Sequence, residues 1–142
     1  MDVLIKKTSP EISLPAYQSK GAAGFDFAAS ETIVIEPKSC ALIPTGLIIK
    51  VPENFFLMIS ARSSLARKKN LMLANGVGII DSDYCGENDV ICISVYNFSE
   101  TPTTIEKAER IANGIFLPVS QVTWQETDQM NTQNRGGFGS TG

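Results

Sequence analysis

Apolar positions along the chain fall into short runs, each closed by turn chemistry. Thr32-Ile33-Val34-Ile35 stops before Pro37, and Ala41-Leu42-Ile43 stops before Pro44. Leu47-Ile48-Ile49-Lys50-Val51 ends at Pro52, and Asn54-Phe55-Phe56-Leu57-Met58-Ile59 ends at the polar stretch from Ser60 to Ser64. Gly78-Ile79-Ile80, Val90-Ile91-Cys92-Ile93-Ser94-Val95-Tyr96 and Ile111-Ala112-Asn113-Gly114-Ile115-Phe116-Leu117 follow. These runs are β-branched and aromatic, of strand length, and spaced as in an all-β sandwich or barrel. One short helix is expected over Ser63 to Lys69, with Ser63 or Ser64 as its cap. The small-residue turn Gly21-Ala22-Ala23-Gly24 leads into a strand in which Asp26 alternates with Phe25 and Phe27, so its side chain faces away from both rings. After Pro118 the sequence turns polar, from Gln121 through Gln133, and ends in glycine-rich chain. This divides it into a β domain over 1–120 and an extended C-terminal arm over 121–142. The arm has too little apolar surface to pack alone and is expected to dock elsewhere, on a neighbouring subunit.

Composition narrows the function classes. The 142 residues suit one domain with a genuine core. A net charge of −3 without a long basic run argues against a nucleic-acid polymer as partner. Cys40, Cys85 and Cys92 lack C-x-x-C spacing, which points away from a disulfide framework or zinc site and towards a reducing, cytosol-like compartment. The sequence contains no histidine, which removes histidine-based catalysis and histidine metal sites. The start, Met1 to Lys7, lacks a signal-peptide core, and no apolar stretch is long enough to span a bilayer.

Candidate chemistry lies in the polar clusters between the runs. Gly78-Ile79-Ile80-Asp81-Ser82-Asp83-Tyr84 through Asp89 reads as a hairpin whose second strand starts at Val90. Asp81 directly follows two isoleucines. It is therefore expected at a strand end beside packed surface, where a partly buried carboxylate is a good water-activating base. Tyr84 offers a flat wall for a sugar or base, and the Asn75 amide can donate and accept together, as a pyrimidine edge requires. Arg62-Ser63-Ser64 at the helix start supplies a cation, hydroxyls and N–H groups to an anion, and Arg110 adds a cation at the start of a strand. In the tail, Asn134-Arg135-Gly136-Gly137-Phe138-Gly139-Ser140-Thr141-Gly142 lets backbone N–H groups approach a polyphosphate while Phe138 lies on a ring. Each cluster also has an ordinary reading: solvated turn, structural cap, surface ion pair or flexible tail.

Taken in order, Gly24-Phe25-Asp26-Phe27, Arg62-Ser63-Ser64-Leu65-Ala66, Gly78-Ile79-Ile80-Asp81-Ser82-Asp83-Tyr84, Arg110-Ile111-Ala112 and Gly137-Phe138-Gly139-Ser140-Thr141-Gly142 resemble the five signature motifs of trimeric dUTPases. The resemblance implies a homotrimer of distorted jelly-roll (β-clip) barrels with active sites shared between subunits. It implies hydrolysis of dUTP to dUMP and pyrophosphate with Mg2+ carried on the triphosphate, in the cytoplasm, or in a nucleus or host cell for a viral source. By position, Asp81 would activate the water that attacks the α-phosphorus. Asn75 and the backbone from Gly78 to Ile80 would read uracil, and Tyr84 would pack under the deoxyribose. Arg62, Ser63, Ser64, Arg110 and Asn113 would hold phosphate oxygens. Phe138 would close over uracil while Arg135, Gly139, Ser140 and Thr141 wrap the outer phosphates. No direct protein ligand to the metal is implied, with Asp26 ordering its waters. The chain departs from the family pattern at Ala61 (usually proline), Ser64 (usually glycine) and Asn113 (usually glutamine). Alternatives are a dCTP deaminase, a bifunctional dCTP deaminase/dUTPase, or a non-catalytic trimeric nucleotide sensor.

Overall fold

In the computed structural model, which describes residues 1–137 and 139, eleven strands and one five-residue helix are arranged as four antiparallel sheets. Strands β1 (Ile5–Lys7) and β5 (Leu47–Ile49) form one pair, and β3 (Ile33–Ile35) and β10 (Thr103–Ile105) another. A three-stranded sheet is ordered β4 (Cys40–Pro44), β9 (Cys92–Asn97), β7 (Leu71–Leu73). A four-stranded sheet is ordered β2 (Phe25–Ala28), β11 (Arg110–Pro118), β6 (Phe55–Ala61), β8 (Gly78–Ile80). The architecture is all-β and jelly-roll-like, but the sheets do not close into a barrel.

Period-two alternation sets the inward faces. Ile43, Leu57, Ile93, Val95 and Ile111 point into one core, joined by Phe27 and Ile49. Phe25 and Phe27 lie on one face of β2, their rings edge to face at 5.3 Å. Gly114 of β11 makes this possible, because it pairs with Phe25 and a Cβ there would stand 2.7 Å from Cε2 of both rings. Buried Asn97 closes the far end of β9. Its Nδ2 donates to the Ile35 and Thr101 carbonyls, and its Oδ1 accepts from the Ser99 N–H and hydroxyl.

The expected strands are present with shifted ends, while β1, β7 and β10 have no counterpart among the expected runs. Helix α1 covers Leu65–Lys69, buries Leu65, and ends where Asn70 turns left-handed at φ 55°. Ser64 occupies the N-cap position without a side-chain capping bond, contrary to its expected role. The expected hairpin after Gly78 does not exist. Strand β8 pairs with β6 while β9 pairs with β4 and β7, so the chain from Asp81 to Ile91 crosses between two sheets. From Val119 to Gly137 the chain has no helix or strand and is exposed throughout.

Gly114→Ala should destabilise the protein by about 1–3 kcal/mol through ring displacement. A urea midpoint equal to that of the parent protein would show that the rings make room without cost.

Candidate active site

The only buried carboxylate among the described residues is Asp26, on the face of β2 opposite the phenylalanine rings, as expected from the alternation. It sits inside the strand rather than at a turn. Its Oδ2 accepts a hydrogen bond from Arg110 Nη1 at 2.9 Å, and its Oδ1 accepts one from Asn113 Nδ2 at 2.6 Å. Arg62 Nε lies 3.4 Å from Oδ1, and the same guanidinium donates through Nη1 to the Arg110 carbonyl at 3.2 Å. Two cations thus face one anion, which leaves the cluster with a net positive charge.

A β-bulge makes the grouping possible. Arg110 pairs with Ala28 and Ala112 with Phe27, so β11 advances two residues while β2 advances one. Without that shift, positions three apart on a strand would face opposite sides. The extra residue, Ile111, turns Arg110 and Asn113 onto the face of Asp26 and is itself fully buried. Arg62 joins them because β6 pairs with β11 up to Ala61 and Ala112, and the Arg62 N–H then donates to the Ile111 carbonyl at 3.2 Å. Ser63 and Ser64 come next in the chain, and their hydroxyls form no hydrogen bond among the described residues. Glu109 does not join the cluster. It pairs with Lys69 at 2.9 Å and ties α1 to the start of β11.

The second group of expected site residues lies elsewhere. Strand β8 is the edge strand of the four-stranded sheet, so one side of the Gly78–Ile80 backbone carries no neighbouring strand. Gly78 packs tightly, since a Cβ there would approach Ile59 Cβ to 3.1 Å. Asp81 follows the strand directly and opens onto a cleft of about 560 Å³ lined with Phe55, Phe56, Ile79 and Gln121. It is at a strand end as expected, but it is exposed within one chain, not partly buried. Asn75 is likewise exposed in the turn before β8.

The crossing segment after Asp81 is held by local bonds. The Tyr84 N–H donates to the Asp81 carbonyl at 3.3 Å, and the Tyr84 hydroxyl donates to the Val90 carbonyl at 3.2 Å, which leaves the ring 40% exposed. Asp89 turns inward to accept from the Gly86 N–H at 2.6 Å. Glu87 pairs with Lys6 of β1, whose ammonium holds the Glu87 carboxyl below the ordinary carboxylate range. That tether is in place above the unfolded value and is lost as pH falls through the lowered folded value.

These two groups lie at opposite ends of β6. Pairing of Leu57 with Ile80 sets Asp81 alongside Phe56, whereas the arginine cluster begins at Arg62. Six residues of extended strand separate the two ends by about 20 Å. Arg135 and Gly139 lie on the exposed tail, and Phe138, Ser140 and Thr141 fall outside the described residues. What the sequence reading missed is the convergence of Arg110, Arg62 and Asn113 on Asp26. The bulge that produces it has no marker in the run Arg110-Ile111-Ala112.

The dUTPase family profile matches residues 10–142. A deoxyuridine 5'-triphosphate nucleotidohydrolase of Hydrogenobaculum sp. (strain Y04AAS1) is 43% identical over 145 residues, covering 100% of this chain and 99% of that protein. The crystal structure of dUTPase from Streptococcus mutans superposes with a TM-score of 0.79 at 30% identity, over 84% of this chain and 98% of that one. Staphylococcus bacteriophage 80alpha dUTPase, determined with dUPNHPP, shares the fold with a TM-score of 0.88 at 24% identity, over 99% of this chain and 98% of that one. The chain belongs to the dUTPase family and hydrolyses dUTP to dUMP and pyrophosphate.

Asp26→Asn should cost about 1–3 kcal/mol of stability, because two partly exposed guanidinium groups lose their shared counter-charge. Unchanged thermal unfolding would mean that the cluster is held by other contacts.

Proposed function

We propose that hydrolysis takes place between subunits of a homotrimer, with the Asp26 cluster of one copy facing Asp81 of another. The separation of the two residue groups along β6 carries this reading, since neither group alone can hold both a uridine and its phosphates. On this reading the edge of β8 and the Asn75 amide pair with the uracil edge, where polar backbone groups need partners. Tyr84 lies flat against the deoxyribose. Asp81 accepts a proton from the water that attacks the α-phosphorus, so the nucleophile forms as the bond to the departing pyrophosphate breaks. Covering by a neighbouring copy would strip water from Asp81 and supply the burial it lacks in the single chain.

Arg62, Arg110 and Asn113 hold phosphate oxygens, with Asp26 fixing their directions. The free hydroxyls of Ser63 and Ser64 add donors to the same oxygens. Positioning and charge neutralisation supply most of the rate in phosphoryl chemistry. Arg135, Phe138, Gly139, Ser140 and Thr141 complete the enclosure from the tail, and closure excludes bulk water.

The chain's donors fit a magnesium ion carried by the triphosphate rather than one ligated by protein alone. No group of three or more His, Cys, Asp or Glu residues is placed to hold a metal among the described residues. Asp26 Oδ1 is engaged by Asn113 and Arg62, whereas Oδ2 receives only Arg110, which leaves it a lone pair for a metal-bound water. When bound, the ion neutralises charge on the phosphate oxygens. No helix among the described residues is long and apolar enough to cross a membrane, and free Cys40, Cys85 and Cys92 suit a reducing cytoplasm.

Asp81→Asn and Arg110→Ala should each abolish turnover when expressed alone. Co-expressed and randomly mixed, they should restore about a quarter of the sites, because those sites draw Asp81 from an Arg110→Ala copy and Arg110 from an Asp81→Asn copy. No pyrophosphate release from the mixture, with both variants folded, would refute the shared site. Removal of residues 134–142 should cut turnover roughly 100-fold or more while leaving the unfolding midpoint unchanged, since the tail adds nothing to the core. Full activity of the truncated protein would exclude the tail from the enclosure.

A further inference from the structure

Ser63 and Ser64 lead directly into helix α1, yet little holds that helix. It has five residues, and Leu65 is the only one buried. So short a helix does not sustain itself in water. Ser64, at its start, makes no side-chain capping bond. A single buried side chain acts as a pivot, fixing where the helix sits but not which way it points. A second fixed point is required, and Lys69 supplies it at the other end.

The Lys69 ammonium donates to Glu109 Oε2 at 2.9 Å and to the Thr104 carbonyl at 3.0 Å, while the Lys69 carbonyl accepts from the Thr103 hydroxyl at 3.1 Å. Glu109 is fixed in turn. The same Oε2 accepts from the Glu106 N–H at 3.1 Å, and the Glu109 carbonyl accepts from the Ala29 N–H at 2.9 Å. The two side chains are only 29% and 28% exposed, whereas the ion pairs Lys6–Glu87 and Lys38–Glu100 lie open to water. An open pair holds little in place, but a shielded one with further charge-assisted hydrogen bonds keeps its geometry. Glu109 immediately precedes Arg110, so this contact joins the helix after the serines to the strand start that bears the arginine.

We infer that Lys69 and Glu109 are positioning residues for the hydrolysis: their ion pair holds the Ser63 and Ser64 hydroxyls at a set distance from the Arg110 guanidinium, so that all grip one run of phosphates. Neither side chain touches the substrate. The inference rests on the phosphate-binding reading of those three residues and names what keeps them in register. Arg62 needs no such support, because its N–H donates to the Ile111 carbonyl and its guanidinium to the Arg110 carbonyl. The serines lie beyond that anchor. Lys69 stands about 6 Å along the helix axis from the Leu65 pivot, so loss of the pair lets the helix swing and carries the serines with it. Misplacement of a binding group by an ångström is enough to slow a reaction about 100-fold. Uracil and deoxyribose recognition, at the other end of β6, does not depend on this contact.

The test uses the full chain carrying Glu109→Gln, which keeps an acceptor for the Glu106 N–H and removes the charge facing Lys69. Lys69→Met breaks the pair from the other side, and Lys69→Arg preserves it. Circular dichroism and light scattering check fold and assembly. The readouts are kcat and KM for dUTP with magnesium, and inhibition constants for deoxyuridine and for the analogue dUPNHPP. Glu109→Gln and Lys69→Met should each lower kcat and weaken dUPNHPP roughly tenfold, with deoxyuridine bound as by the parent protein. The double variant should be no worse than the weaker single one, since both remove the same contact. Lys69→Arg should stay within about twofold of the parent, because the charge and its donors remain.

Parental kcat and dUPNHPP binding in both broken-pair variants would overturn the inference. Equal weakening of deoxyuridine and dUPNHPP would overturn it too, because the pair would then merely support the fold. Arg110→Ala in the same assays separates this from failure of the reading beneath it. If Arg110→Ala weakens dUPNHPP and the pair variants do not, the positioning role alone falls. If Arg110→Ala leaves dUPNHPP binding intact, the phosphate-binding reading falls and takes the inference with it.

Discussion

Asp26, one buried carboxylate held between two guanidinium groups, organises one end of the four-stranded sheet. A carboxylate taken out of water must be paired, and the pairing draws Arg62 from the end of β6 and both Arg110 and Asn113 from β11 onto one spot. The three elements are distant in sequence but are neighbours in the sheet order β2-β11-β6. The cluster therefore does double duty. It satisfies a buried charge, and on the reading proposed above its surplus cation faces the phosphates of the substrate. Preorganisation of this kind lowers the reorganisation required when charge develops on the phosphate.

The opposite end of β6 follows a different logic. On the reading proposed above, the backbone of edge strand β8 supplies recognition there and the exposed Asp81 supplies chemistry. Exposure is a poor setting for a general base, because water competes for its hydrogen bonds. Distributing the two halves over different copies, as proposed above, would resolve this, since association and substrate closure would bring low dielectric to Asp81 only in the assembled state. An isolated chain would then carry all the residues and none of the activity.

Much of the fold was legible in the sequence because runs closed by proline and glycine mark strands whose faces alternate. The direction of Asp26 followed from its two flanking aromatics, and the strand-end position of Asp81 from the isoleucines before it. Three elements escaped, β1, β7 and β10, two of which are mixed polar and apolar (Ile5-Lys6-Lys7 and Thr103-Thr104-Ile105) and so leave no apolar run. The misread hairpin has a physical cause too. Two apolar runs joined by a polar turn look alike whether they pair with each other or with strands far along the chain, and the partners β6 and β4 decide that globally. The burial expected for Asp81 also failed in the single chain, since neighbouring isoleucines report strand position and not what covers it. Five separate motifs pointed to one activity, but nothing local indicated that Arg110 would reach across to Asp26.

The bulge at Ile111 sets a rule for how this sequence can diverge. A strand's side chains behave like a two-phase code, and the extra residue shifts the phase once so that a guanidinium and an amide fall in step. Losing or gaining a single residue between Arg110 and Asn113 would put one of them on the wrong side of the sheet. The exposed arm from Val122 to Gln133 carries no such phase. Insertions and deletions among descendants of this chain should therefore gather in that stretch and be absent from the start of β11.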